Sequence, residues 1–202
     1  LNKISNILRQ SGYYFSKVTP KIKKNNNNTV DLIFEIELGD KAYIKKITFI
    51  GDKKIKENKL KKIIVSEETK FWKFVSSRKF LDLNRIKLDK KLLYNFYKNK
   101  GYYNVSVESS SAKVINESNF ELIFNINAGK KYYFGKIDLI IPEEYSPESF
   151  KKIIDVQDKL EGKIYSLDKI KKILNKIDEI ASTKEFEFIN AKYKENIINN
   201  NI

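Results

Sequence analysis

Apolar residues recur along this chain in two rhythms, every three to four positions and then every second position, and the order of the rhythms repeats. Ile4, Ile7 and Leu8 mark one face of a helix, and Gly12 suits the left-handed position just past a helix end. Tyr13–Val18 then has strand character, and Asn25–Asn28 a turn-forming one. From Thr29 to Leu38, Val30, Leu32, Phe34 and Ile36 oppose Asp31, Glu35 and Glu37, which predicts a strand buried on one face. The pattern predicts another strand at Tyr43–Ile50, with Ile47 and Phe49 on one face. Leu60, Ile63 and Ile64 then mark a short lysine-rich helix. A long connection, Ser66–Leu83, separates it from a helix starting near Asn84 with Leu88, Leu92, Leu93, Phe96 and Tyr97 on its apolar stripe. Gly101 ends that helix, and Tyr103, Val105 and Val107 alternate against Tyr102, Asn104 and Ser106. A turn at Asn116–Asn119 leads to a strand at Phe120–Ala128.

There the pattern begins again. Phe120, Leu122, Phe124 and Ile126 repeat Val30, Leu32, Phe34 and Ile36 at an offset of 90, as Phe134, Ile137 and Leu139 repeat Ile44, Ile47 and Phe49. Ser146 with Pro147 has the form of a helix start, and Ser166 that of a second. Ile170, Ile173, Leu174, Ile177 and Ile180 form the next helical stripe, and Phe186, Phe188 and Ala191 a strand. Aligned on Gly12, Gly101 and Glu185, the copies lie 89 and 84 residues apart, a domain-sized period rather than a solenoid unit. The repeating unit is strand–helix–helix–strand–strand. Three one-faced strands and two amphipathic helices make a two-layer α+β unit, with the helices over one face of the sheet. Its expected boundaries are 1–40 for the C-terminal half of a unit, 41–129 for a complete one and 130–202 for one lacking its last strand.

Composition narrows the chemistry. Cysteine, histidine and methionine are absent from the 202 residues, which argues against zinc, copper or haem and excludes disulfides. Neither a G-x-S-x-G, a P-loop nor a paired-acid cluster is present, so no catalytic residue, cofactor or metal site is expected. Carboxylates such as Asp82, Asp89, Glu67 and Glu68 look like caps or surface charges. No run of 18 apolar residues occurs. The chain begins LNKISNIL, without a methionine or a signal-peptide pattern, and is expected to be part of something longer. A net charge of +14 invites a nucleic-acid reading, but only Arg9, Arg78 and Arg85 supply the bidentate fork that phosphate recognition favours. The lysines at Lys53–Lys62 and Lys169–Lys176 suit solvated helix faces, with weak attraction to an anionic membrane surface as the alternative.

The βααββ order, the helix-to-strand G-Y signature of Gly12-Tyr13 and Gly101-Tyr102, and the strand–glycine–strand junctions resemble the POTRA family. More narrowly, FWKFVSSRKFLDLNRIKLDKKLLYNFYKNKGYYNVSV resembles the third POTRA module of outer-membrane protein assembly factors, and the likeness covers the whole chain. Glu185 departs from the glycine pattern. The resemblance implies a non-enzymatic periplasmic scaffold, attached to the outer membrane by a C-terminal barrel outside these residues. Its partners would be unfolded outer-membrane protein segments and accessory assembly lipoproteins such as BamB, with no nucleic acid. A related secretion or translocation transporter is the alternative within the family. In that fold the second strand lies at the sheet edge, so peptide is expected to add along Tyr102, Tyr103, Asn104, Val105, Ser106, Val107 and Glu108. Phe71, Trp72 and Phe74 form a candidate partner contact, since aromatics anchor interfaces. Trp72→Ala is then expected to weaken binding of an assembly lipoprotein more than it lowers the melting temperature. The reverse order would assign these aromatics to packing within their own module.

Overall fold

The computed structural model describes residues 1–70, 76–116, 118–183, 191–199 and 201–202. They form two compact units, one of residues 1–93 and 107–127, the other of 94–106 and 128–202. The first unit opens with helix α1 (Asn2–Gln10) and a hairpin of β1 (Lys17–Lys24) and β2 (Val30–Glu37). Every residue of β2 is exposed, Val30 by 60% and Leu32 by 58%, so the expected one-faced burial does not occur. The alternation predicts a strand correctly, but β1 and β2 pair only with each other, and two strands alone bury neither face. Strand β1 also starts at Lys17 rather than Tyr13.

The remainder of the first unit carries the complete βααββ order: β3 (Tyr43–Asp52), α2 (Glu57–Leu60), α3 (Leu83–Lys98), β4 (Ser106–Asn116) and β5 (Asn119–Asn127), with α3 continuing into the second unit. The three-stranded sheet has the order β3-β5-β4, so β5 is central and runs parallel to β3. Along β5, Phe120, Leu122, Phe124 and Ile126 are all buried while the residues between them are not. Each such side chain contributes about 1.5–3 kcal/mol on burial, and a one-residue slip would expose all four. The register is therefore pinned. A bulge in β3 between Ile44 and Lys46 brings Ile44, Ile47 and Phe49 to one buried face despite their uneven spacing. Phe49 stacks on Phe124 with ring centroids 5.5 Å apart. Leu60, Ile86 and Leu93 from the helices, and Ile64 just after α2, are buried as well. Asp82 begins α3 as a cap, accepting from the Arg85 N–H at 2.8 Å.

Gly12 and Gly101 end their helices in the same way. At Gly101 the Tyr102 N–H donates to the Tyr97 carbonyl and the Gly101 N–H to that of Lys98, a Schellman closure. At Gly12 the matching bonds run from Tyr13 to Leu8 and from Gly12 to Arg9. Both glycines have positive φ, +99° and +88°. Neither has space for a side chain: an added Cβ would lie 2.8 Å from the Phe80 ring at Gly12 and 2.7 Å from Ile164 at Gly101. Each glycine carbonyl also accepts a 2.8 Å bond from the start of the next repeat, Ala42 N–H for Gly12 and Tyr132 N–H for Gly101. Ala42 and Tyr132 in turn accept from the N–H of Leu81 and Tyr165. The same joint is thus built twice, once inside each unit.

The second unit contains a short 3-10 turn at Pro147–Phe150, α4 (Lys151–Asp158) and α5 (Leu167–Thr183). Phe150, Ile153 and Ile177 form its buried cluster, with Ile173 and Ile180 packed against it. Ser146 precedes the turn in extended conformation, as Pro147 requires, without a side-chain cap bond. At α5 the expected cap is supplied from elsewhere: Asn99 accepts from the Asp168 N–H at 2.9 Å, and Ser166 donates to Asn99. The strand expected over Phe134–Leu139 is absent, and Tyr133 makes only isolated bridges, to Ile164 and Asn201. The Phe134 and Gly135 amides bond instead to the carbonyls of Lys163 and Ile202. Phe186 and Phe188 lie outside the described residues.

Gly101→Ala is expected to cost about 1–3 kcal/mol in urea unfolding, from the left-handed backbone plus the contact with Ile164. Adding Ile164→Ala should remove the steric part of this coupling and leave the backbone part. Fully additive effects would show that the side-chain contact plays no role.

Candidate functional site

A three-stranded sheet has two edges, here β3 and β4. Along β3, the residues whose side chains are buried also turn their backbone groups outward, because both directions alternate together in a strand. Tyr43, of the opposite phase, turns inward and donates to the Ser118 carbonyl at 2.8 Å. Several of the outward groups are already engaged. The Ile44 carbonyl accepts from the Thr69 N–H at 2.8 Å and from its hydroxyl at 3.0 Å. The Ile47 N–H donates to Glu68 Oε1 at 2.9 Å. The Phe49 carbonyl accepts from Lys53 Nζ at 2.7 Å, and that of Gly51 from the Lys53 N–H. Glu68 is far from a free surface charge. Burial pushes its carboxyl up, but the Lys61 ammonium and the Ile47 N–H outweigh this and hold it below the ordinary range.

The opposite edge is β4, which runs from Ser106 to Asn116. This displaces the expected edge segment. Of Tyr102–Glu108, only Ser106, Val107 and Glu108 lie in the strand; Tyr102, Tyr103, Asn104 and Val105 form the turn after α3. The physical reason is the Schellman closure, which uses the Tyr102 N–H, while those of Tyr103 and Val105 donate to Gly101 and Tyr102. Tyr102 and Val105 are buried, and the Tyr102 ring meets Tyr97 edge-on at 5.7 Å. Tyrosines and valine suit a strand by propensity and a helix-end staple equally well, so the pattern alone did not separate them. The segment from Ser109 to Asn116 lacks alternation, and only the nine-residue length of β5 signals a partner strand of that reach. Phe71, Trp72 and Phe74 fall outside the described residues.

Two polar clusters escaped the sequence pattern altogether. Asp89 is fully buried and accepts from the Val65 N–H at 2.6 Å and the Ser66 N–H at 3.3 Å. Burial raises its carboxyl above the ordinary range, and these amides only partly oppose that. The expectation of a cap or surface charge at Asp89 is therefore corrected. Glu67 conforms to it, pairing with Arg78 at 3.4 Å. In the second unit, the hydroxyls of Tyr103 and Tyr165 both donate to Glu195, each at 2.7 Å. Lys98 Nζ lies 4.0 Å from the centre of the Tyr103 ring. The bond to Glu195, reinforced by burial, pushes Tyr103 up to about 12, and burial followed by the same carboxylate raises Tyr165. Glu195 sits 92 residues from Tyr103, a pairing no local signal announces. No group of three or more acidic residues among those described is placed to hold a metal, and no helix among them is long and apolar enough to cross a membrane.

A βααββ module with a three-stranded sheet of order β3-β5-β4 defines a class of repeating α+β module. The model of one such family, POTRA (surface antigen variable number repeat), matches residues 42–129. Two curated relatives are both outer membrane protein assembly factor BamA. That of Neorickettsia risticii is 21% identical over 194 residues, covering 95% of this chain and 26% of the relative. That of Nitratidesulfovibrio vulgaris is 25% identical over 171 residues, covering 83% of this chain and 21% of the relative. The chain thus spans about a quarter of the length of the curated relatives it matches. The crystal structure of Haemophilus influenzae BamA POTRA3-5 superposes with a TM-score of 0.62 at 13% identity, over 99% of this chain and 74% of that one, a likeness of fold.

The tyrosine pair has a consequence in alkali. A tyrosine whose folded value is raised stabilises the fold fully below the unfolded value of 10 and loses that contribution as pH rises through about 12. Stability measured from pH 9 to 12 should therefore decline, and Tyr103→Phe should make the decline shallower. An unchanged slope would remove the Tyr103–Glu195 bond from the account.

Proposed function

We propose that this chain is a periplasmic, non-enzymatic part of an outer-membrane β-barrel assembly machinery, where it holds extended segments of unfolded clients by strand addition. The observation that carries the reading is the sheet edge at β4, opposite an edge several of whose outward groups are engaged. Main-chain hydrogen bonds to such an edge are blind to sequence, which suits a scaffold serving many clients. Similarity to BamA supports the same reading, since that protein is named for outer-membrane protein assembly. Anchoring falls to a barrel beyond these residues, and accessory lipoproteins of the BamB kind are the expected partners of the segment containing Phe71, Trp72 and Phe74.

The basic charge does not favour a nucleic-acid partner. Lysines at 46, 53 and 61 reach Glu121, Glu57 and Glu68 within 3.2 Å, inside the protein's own ion pairs.

Proline tests the edge because it removes one N–H. Ser106 is the first residue of β4, where proline is tolerated, so adjacent positions inside the strand are more informative. Neighbouring N–H groups face opposite sides, so Glu108→Pro and Ser109→Pro should differ. One should leave the fold intact and abolish photo-crosslinking to an unfolded outer-membrane protein segment, while the other should lower stability. Undiminished crosslinking in both folded variants would sink strand addition at β4.

A further inference from the structure

Every sheet edge offers a template for another strand, and a binder with two equivalent edges would capture clients or copies of itself on both sides. In the βααββ module here, β3 is one of these edges, and outward groups at its start, middle and end are engaged. Tyr43 bridges Phe80, and the Leu81 N–H donates to the Ala42 carbonyl at 3.0 Å. Thr69 then occupies the Ile44 carbonyl, Glu68 the Ile47 N–H, and Lys53 the carbonyls of Phe49 and Gly51. The plug is made from charged groups of opposite sign. Each is also held in place: Glu68 by Lys61 at 2.5 Å and Lys53 by Glu57 at 2.5 Å.

We propose that Glu68 and Lys53 determine on which edge this module accepts a strand, by occupying the outward backbone groups of β3 and leaving β4 as the acceptor. The inference rests on the strand-addition reading and adds to it the residues that set its direction. Chemistry favours such a plug over an apolar cover. A carboxylate bonded to an N–H and an ammonium bonded to a carbonyl satisfy both polarities of the edge. An incoming strand would have to displace both from the backbone groups they hold before it could pair there. Thr69 and the Phe80 bridge close the remaining end through the backbone, which ties the Glu67–Lys70 segment alongside β3. The bulge contributes too: without the shift between Ile44 and Lys46, Ile44 and Ile47 would not present their backbone groups on the same side.

The test uses the full chain and a synthetic ten-residue peptide of alternating valine and threonine. A photo-crosslinking residue is placed either at Lys45 on β3 or at Glu108 on β4, both exposed positions. In the otherwise unaltered chain, capture is expected at Glu108 and only background at Lys45. The double variant Lys53→Ala/Glu68→Ala should raise capture at Lys45 from background to the level seen at Glu108. Glu68→Gln, which keeps an acceptor oxygen, should stay at background. A folded double variant that captures peptide at Glu108 but not at Lys45 would overturn the proposed plug. Loss of capture at Glu108 with a gain at Lys45 in the double variant would keep the plug and overturn the β4 reading. No capture at either position in any variant would overturn both. If the double variant does not fold, Glu68→Ala alone is read by amide hydrogen exchange. Faster exchange at Ile47 with β5 still protected supports the plug, and unchanged exchange at Ile47 overturns it.

Discussion

The constraint on which the rest of the chain depends is the left-handed glycine that ends α1 and α3. A residue at φ near +90° turns the chain out of the helix within one position, and only glycine takes that conformation without strain. Because no Cβ intervenes, the Phe80 ring and the Ile164 side chain lie against the glycine backbone. The freed carbonyl then reaches an amide at the start of the next repeat at 2.8 Å. One dihedral choice therefore terminates a helix, aims the following strand and ties down the junction. Each joint is a short ring of backbone bonds, and it needs only one residue type at one position to form.

Downstream of that joint the module divides its sheet by phase. The buried face is apolar and is set by alternation on β5 and by the bulge on β3. The outer edge of β3 is polar, and its groups are bonded to Lys53, Glu68 and Thr69. Both arrangements use the same strand, with side chains serving the core and backbone groups serving the edge. A buried carboxylate at Asp89 holds the segment after α2 by its amides, which places Glu68 and Thr69 within reach of β3. A polar group in the core thus positions the residues that engage the edge.

Much of this was legible along the chain. The helix-ending glycines, the βααββ order and the inward residues of β5 follow from local spacing, since each is written in neighbours two to four positions away. Val30–Ile36 shows the limit: alternation correctly announced a strand, but burial needs a second layer, and the hairpin of β1 and β2 is exposed along its length. Tyr102–Val105 shows another. Its residues fit a strand, and the competing helix-end closure, which uses the same aromatics as a staple, took their amides first. The candidate edge accordingly moved to β4, overlapping the expected segment only at Ser106, Val107 and Glu108.

The sequence by itself determined the repeat, the helix ends and the apolar phase of the complete module, since these are written in local periodicity and in the steric freedom of glycine. Tertiary structure decided which edge of the sheet is engaged and which charged residues leave the surface. Ile47 and Glu68 lie 21 residues apart, Asp89 and Val65 24, and Tyr103 and Glu195 92. Hydrogen bonds over such distances depend on where folded elements come to rest. A lysine or glutamate looks the same in a solvated run as it does when it occupies a strand edge.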